Sequence, residues 1–442
     1  MPQDGISFAR GSALDSLSEG ELRKGLFEAL DSLGPRKRVL ALPPDGYRAH
    51  SRAGILLKAV FDYYGEQLCA VMPALGTHKP MSAADLTRHY PGIPLSLFRS
   101  HDWRNEITEL GRVPADFVKA ASDGLCSFDL TLEVNRLVIE GGFDLILSIG
   151  QVVPHEVAGM ANYTENLFVG VGGKEGIERT HWLGAAYGIE RVLGRIDTPV
   201  RKVLDYAQEH IAASLPIAYA LTVIGAGPPG TDEAGNDAPE AFAPEGDVVR
   251  GLYIGTGRET FEAAARLSAE VNVEYVDHPI RKALVWLDPK EYRSTWHGNK
   301  AIHRIRLAVA DGGELIIIAP GVDCFGEERS VDETIRDYGY CGTPAIRELV
   351  ESGELAGDLA GAAHLASGST EGRFQVRYAP GGLRKQEIED VGYAWADCQA
   401  MISQYNPASL RDGWNTVAGE EIYFIRNPAM GLWAVPGALK KC

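Results

Sequence analysis

The feature that most limits what this chain can fold into is an alternation of short apolar runs, each closed by turn residues, with stretches of helical periodicity. The runs Val39 to Leu42, Leu68 to Met72 and Phe143 to Ile149 are separated by helical patterns such as Gly54 to Tyr64. That alternation reads as a parallel sheet flanked by helices. A first helix is expected from Ser18 to Leu33. Ser18 and Glu21 make a capping box, Leu22, Leu26, Ala29, Leu30 and Leu33 share one face, and Gly34-Pro35 stops it. A second series runs through Ile217 to Ile224, Val249 to Ile254, Ala283 to Leu287 and Leu315 to Ala319, with helices near Thr260 to Glu270 and Tyr292 to Val309. It predicts a second α/β unit.

At 442 residues the chain exceeds the size at which one hydrophobic core stops growing. The expected fold is therefore α/β with two domains, each a mostly parallel sheet flanked by helices. Residues 1–270 would form the N-terminal domain and residues 271–442 the C-terminal domain. Either Ile211 to Pro216 or Asn272 to Asp277 could be the hinge.

Charge and targeting signals narrow the function classes. With 43 Lys and Arg against 60 Asp and Glu, the formal charge is −17, and no basic block offers a phosphate-backbone footprint, so nucleic acid is not an expected partner. The N-terminus lacks a signal-peptide core, and no run approaches the roughly 20 apolar residues of a membrane span. A cytoplasmic protein is expected. Six cysteines, at 69, 126, 324, 341, 398 and 442, show no CxxC spacing and read as buried small apolar residues.

Two glycine motifs are weak. Gly225, Gly227 and Gly230 satisfy GxGxxG, but Pro228 and Pro229 stand where amides should meet a pyrophosphate, and the residues to 247 form an acidic, Pro-rich segment read as a solvated loop. The 170–176 stretch, GVGGKEG, resembles a P-loop without its Ser or Thr, because Glu175 follows Lys174. It reads as a flexible glycine-rich loop.

Ligands of open α/β sheets bind beyond the carboxyl ends of the strands, and each early strand delivers polar residues there. Val39 to Leu42 leads into Asp45, Gly46, Tyr47 and Arg48, a turn suited to hold an anion on its amides with Arg48 reaching a carboxylate. Leu68 to Met72 leads to Gly76-Thr77-His78-Lys79-Pro80, and Phe143 to Ile149 to Pro154-His155 and later His181. Neutral imidazoles serve as metal ligands or as proton carriers near pH 7, and pattern alone leaves both open.

On these motifs the chain resembles the nickel-dependent lactate racemase family, whose members carry a nickel-pincer nucleotide. The family's Asp-x-x-Arg loop corresponds to Asp45 and Arg48, its Gly-x-His-x-Pro segment to Gly76 through Pro80, and its Pro/Ser-His-x-x-x-Gly segment to Pro154 through Gly159. A nickel-ligating histidine follows 26 residues after the last of these histidines, where His181 stands after His155. In the second half, Trp296, His297 and Lys300 match an aromatic, a polar residue and a lysine, and 310–328 matches a glycine-rich turn.

The resemblance implies a racemase or epimerase of a small-molecule 2-hydroxy acid, with an active site in the cleft between the two domains, the cofactor and acid–base histidines on the first and the contacts to a substrate carboxylate on the second. His78 and His155 would alternate as general base and acid, His181 would ligate nickel, and Arg48 and Lys300, with Trp296 and His297, would contact substrate. Asp45, Gly46, Tyr47, Asn162, Asn166 and Lys174 would surround the cofactor. The reaction implied is hydride transfer from C2 to the cofactor with loss of the hydroxyl proton to a histidine, and return to the other face. Cofactor-synthesis enzymes are implied partners. Tyr47, Trp296 and His297 suggest a substrate larger or more polar than lactate, or simply pack.

The family's tethering lysine, ten residues after the histidine that His155 matches, is replaced by Glu165. Three readings follow: a cofactor held without a covalent bond, Lys174 reaching in, or loss of the cofactor. The first is preferred because the nickel ligand and both acid–base histidines remain. Rivals from other classes are a non-catalytic protein that binds a nucleotide or sugar acid, and an NAD-dependent dehydrogenase, which the defective GxGxxG counts against.

Overall fold

The computed structural model describes residues 5–226, 247–429 and 431–439. The chain divides into two compact units, Met1–Thr180 with Gly194–Val271, and His181–Leu193 with Asn272–Cys442. Both are α/β, each built on a six-stranded sheet that is mostly parallel.

In the first unit the strand order is Ile6–Gly11, Asp247–Gly255, Ile217–Ala226, Leu145–Gln151, Val39–Leu42 and Leu68–Val71. The last four run parallel. The first two are antiparallel additions at one edge. Every residue of Val39–Leu42 and of Leu145–Gln151 is buried, as parallel strands covered on both faces require. The helix Glu19–Leu33 starts at the predicted cap, with the Ser18 hydroxyl accepting from the Glu21 N–H and the Glu21 carboxylate accepting from the Ser18 N–H. It buries Leu22, Leu26, Ala29 and Leu30 in one core with Leu56, Leu57 and Val60 of helix Ala53–Tyr64.

Ile217–Ala226 and Asp247–Gly255, which follow one another in the second predicted series, complete the first sheet instead. Strand partners in a parallel sheet are set by packing across the chain, so sequence order does not reveal which sheet a strand joins. The first unit continues through Ile211 to Pro216.

The second unit orders Ala394–Trp395, Gln375–Pro380, Val309–Ala319, Ile280–Trp286, Glu420–Ile425 and Gly413–Val417, with only the last pair antiparallel. The segment His181–Leu193 belongs here, packing Ile189 and Leu193 among Val273, Leu307, Leu432 and Ala434. The long helix expected from Tyr292 to Val309 is two short ones, Thr295–Gly298 and Lys300–Ile305, followed directly by a strand that opens at Val309. Ile305, Leu307 and Val309 alternate with period two, which the helical reading passed over.

Among the described residues no helix is long and apolar enough to cross a membrane. Beyond Ala226 the GxGxxG run and most of the acidic segment lie outside the described residues, as does Cys442. Of the other cysteines only Cys126 and Cys398 are buried, and Cys341 is exposed, so burial does not explain all of them.

Candidate functional site

Three loops meet beyond the carboxyl ends of the parallel strands in the first unit, and specific hydrogen bonds hold them together. The Asn166 amide nitrogen is buried and donates to the carbonyls of Leu42 and Ile149 and to the Ser148 hydroxyl, joining the ends of two strands. Pro44 and Ala74 pair as a parallel bridge, and the Gly76 N–H donates to the Gly170 carbonyl at 2.8 Å. Gly76 has φ +56°, a conformation that glycine adopts without strain.

On this frame the turn Gly46–Ser51 follows Asp45, whose side chain is buried. Asp45 Oδ2 lies 2.6 Å from Nδ1 of His78. An ionised carboxylate only accepts, so Nδ1 carries the proton and Nε2 keeps its lone pair, the tautomer of a general base. The His78 side chain is 54% exposed, which leaves it reachable by a ligand.

His155 sits in a small hairpin, Pro154–His155 against Gly159–Met160, with its side chain 15% exposed. Its Nδ1 accepts from the N–H groups of Val157 and Ala158, each at 3.3 Å. Glu165 Oε1 lies 3.8 Å from the same nitrogen. The other Glu165 oxygen accepts from the Asn162 N–H at 2.6 Å. Burial opposes ionisation of Glu165, but His155, Arg201, Arg48 and the Asn162 N–H together hold its carboxyl below the ordinary range. Arg48 is thus close enough to the Glu165 carboxylate to act on it electrostatically.

The turn that aims Glu165 is strained. Asn162 and Tyr163 both have positive φ, +75° and +61°, in a region that bulky residues rarely occupy. Gly150 permits it, because a Cβ there would overlap the Asn162 amide. Arg201, fully buried, clamps the turn from behind by donating to the carbonyls of Met160 and Asn162 at 2.9 and 3.1 Å and to the Thr164 hydroxyl at 2.6 Å.

Of the residues expected around a cofactor, Asp45 serves His78, Asn162 forms the strained turn and Asn166 joins strand ends. Gly46 is half-buried at the start of its turn, and the Tyr47 side chain lies outside the described residues. The stretch around Lys174 is no flexible loop. Lys174 opens the regular helix Lys174–Tyr187 and pairs with Glu178 at 3.5 Å on the surface. Gly172 and Gly173 are needed for close packing, since a Cβ at either would overlap the Phe168 carbonyl or the Glu133 carboxylate. His181 lies half-buried on the same helix, where the second unit begins.

In the second unit Trp296 stacks on the buried His364 ring, centroids 4.0 Å apart, and His364 Nε2 lies 3.0 Å from the Tyr340 hydroxyl. Burial, then the neighbouring His303 and His297, push the His364 imidazole well below its ordinary pKa, so it stays neutral. His297 Nδ1 lies 3.3 Å from Glu327, and Lys300 begins the helix Lys300–Ile305.

Sequence reasoning missed three contributors in the first unit. Glu165 was read only as a missing lysine, and Arg201, inside the helix Pro199–His210 that Thr198 caps, looks like any surface arginine. Gln151, at the carboxyl end of a central strand, has a buried Oε1 with no hydrogen-bond partner among the described residues. A polar residue closing an otherwise apolar strand was the available signal.

No family sequence model and no curated protein sequence matches the chain. Among solved structures, a structural-genomics protein from Thermotoga maritima is similar with a TM-score of 0.75 at 23% identity, over 95% of this chain and 99% of that one. The lactate racemase apoprotein from Thermoanaerobacterium thermosaccharolyticum is similar with a TM-score of 0.67 at 15% identity, over 98% of this chain and 96% of that one. The architecture described above is therefore similar to the lactate racemase fold.

Proposed function

We propose that the chain is an isomerase that inverts C2 of a 2-hydroxy acid with the help of a nickel-pincer nucleotide. The observation that carries this reading is the pair of histidines at the carboxyl edge of one sheet, each facing a carboxylate, with Arg48 acting electrostatically on that of Glu165. Inversion at C2 needs a proton acceptor and a proton donor for the hydroxyl group on either path, and His78 with His155 meets that need. Arg48 would hold the substrate carboxylate.

The donor set fits a cofactor that brings ligands of its own. Among the described residues no three His, Cys, Asp or Glu side chains are grouped to hold a metal ion, so nickel with His181 as its protein ligand depends on donors that the nucleotide supplies. The orphan acceptor of Gln151 is a place that a ligand hydroxyl would satisfy. When bound, the nucleotide supplies an electrophilic carbon for the hydrogen that leaves C2 with its electron pair. The chain's own work is to take the hydroxyl proton on Nε2 of one histidine and to return a proton to the same oxygen. Without a lysine at 165, the cofactor is held non-covalently.

The test is to produce the protein alongside cofactor-synthesis enzymes, measure nickel, and screen 2-hydroxy acids by chiral chromatography. His181→Ala should deplete nickel, while His78→Ala and His155→Ala should retain it and lose inversion. Equal nickel in all three overturns the assignment. Retention of a sugar acid or nucleotide without any exchange of a C2 hydrogen favours a binding protein instead.

A further inference from the structure

A histidine nitrogen holds either a proton or a lone pair, and the surroundings of His155 pull Nδ1 both ways. The Val157 and Ala158 N–H groups, at 3.3 Å, favour a lone pair on Nδ1 and hence a proton on Nε2. A neutral ring in that tautomer cannot accept a proton at Nε2. Glu165 Oε1, 3.8 Å from the same Nδ1, favours the opposite tautomer, and it is fixed there by the Asn162 N–H on its other oxygen and by the turn that Arg201 clamps. On His78 the corresponding question is already decided by Asp45 at 2.6 Å.

We propose that Glu165 is the positioning residue of His155: its carboxylate holds a proton on Nδ1 so that Nε2 carries the exchangeable one, giving the site a second histidine–carboxylate pair beside His78 and Asp45. Holding that proton requires the ring to turn from the two amides toward Glu165. When Nε2 takes a proton from a substrate hydroxyl, the imidazolium is balanced by the Glu165 anion, and the same proton leaves again from Nε2. On the protein, no bond changes other than that of Nε2 to this proton. The lowered proton affinity of the carboxyl keeps Glu165 an acceptor through the cycle. The catalytic part of this inference rests on the isomerase reading; the tautomer part does not.

The test is long-range proton–nitrogen NMR on protein labelled with 15N-histidine, made without cofactor, with the His155 signals assigned from His155→Ala. Glu165→Gln keeps an oxygen acceptor for the Asn162 N–H and removes the charge. It should move His155 toward the Nε2–H tautomer and leave His78 unchanged. Glu165→Asp, with a shorter arm, should move it the same way by less. His155 signals that coincide in wild type and both variants overturn the proposal. In cofactor-loaded protein, Glu165→Gln should lower kcat about 10-fold to 100-fold with little change in KM, and should cost nothing further in the His155→Ala background. If no 2-hydroxy acid is inverted by the wild type, the isomerase reading fails while the NMR result still decides the role of Glu165.

Discussion

His78 and His155 of the first unit and His364 of the second sit in opposite surroundings. In the first, His78 and His155 each face a carboxylate from a neighbouring loop. In the second, His364 is buried between Trp296 and Tyr340, held neutral, and hydrogen-bonded to a hydroxyl. A carboxylate stabilises the imidazolium and a buried aromatic stack excludes it, so the first arrangement suits proton transfer and the second suits packing. The strongest way to break this contrast is to remove the imidazoles. His78→Ala or His155→Ala should lower turnover by about 10²-fold to 10⁴-fold with unchanged thermal midpoints. An equal loss from His364→Phe, measured in the same assay, would erase the distinction.

Among the described residues each unit buries one arginine completely, and the next largest effects separate their purposes. Arg201 clamps the strained turn before Glu165, whereas Arg306 pairs with Glu190 at 3.1 Å and donates to the carbonyls of Ser367 and Ser369, tying down the end of helix Leu359–Gly368. Arg201→Met and Arg306→Met should each lower stability in urea unfolding, by about 1–3 kcal/mol for each buried carbonyl left without its donor. Hydrogen exchange should distinguish them. Arg201→Met should release the amides of the 162–165 turn, and Arg306→Met should leave those amides protected.

His364 provides a pH test. Its folded pKa lies well below the ordinary 6.5, so the unfolded chain binds the proton that the folded chain refuses. Its contribution to stability is present above pH 6.5 and is lost as pH falls, with a slope of up to about 1.4 kcal/mol per pH unit. His364→Phe keeps a ring on Trp296 but leaves the Tyr340 hydroxyl without that partner, for about 1–3 kcal/mol at pH 8. The deficit should shrink at pH 5. A constant deficit across that range would mean that His364 protonates freely in the folded chain.

The sequence made the strands legible because they are short, apolar and bounded: Val39–Leu42 and the cap at Ser18 stand where periodicity and capping chemistry put them. The loops after the strands were legible for the same reason, since Asp45, His78 and His155 interrupt apolar runs. Sheet membership was not, because Ile217–Ala226 pairs with Leu145–Gln151 across more than one intervening helix. The partners of the histidines were equally hidden. Asp45 and His78 are 33 positions apart, and their contact exists only once two strands lie side by side. Glu165 reached His155 through two left-handed residues and a buried arginine, none of which has a sequence signature.

The smallest expected effect concerns Lys174. It stands at the first position of its helix, where the backbone dipole disfavours a cation, and only the pair with Glu178 offsets this. The lysine is 57% exposed, so solvent screens that pair. Lys174→Ala should therefore change stability by no more than about 0.5 kcal/mol. Its helical start also leaves it no slack to replace the residue at 165. Denaturing mass spectrometry of cofactor-loaded protein should give the mass of the bare chain. A mass increment mapped to Lys174 would show that the helix start unwinds to form a tether, and would reverse the assignment of a non-covalently held cofactor.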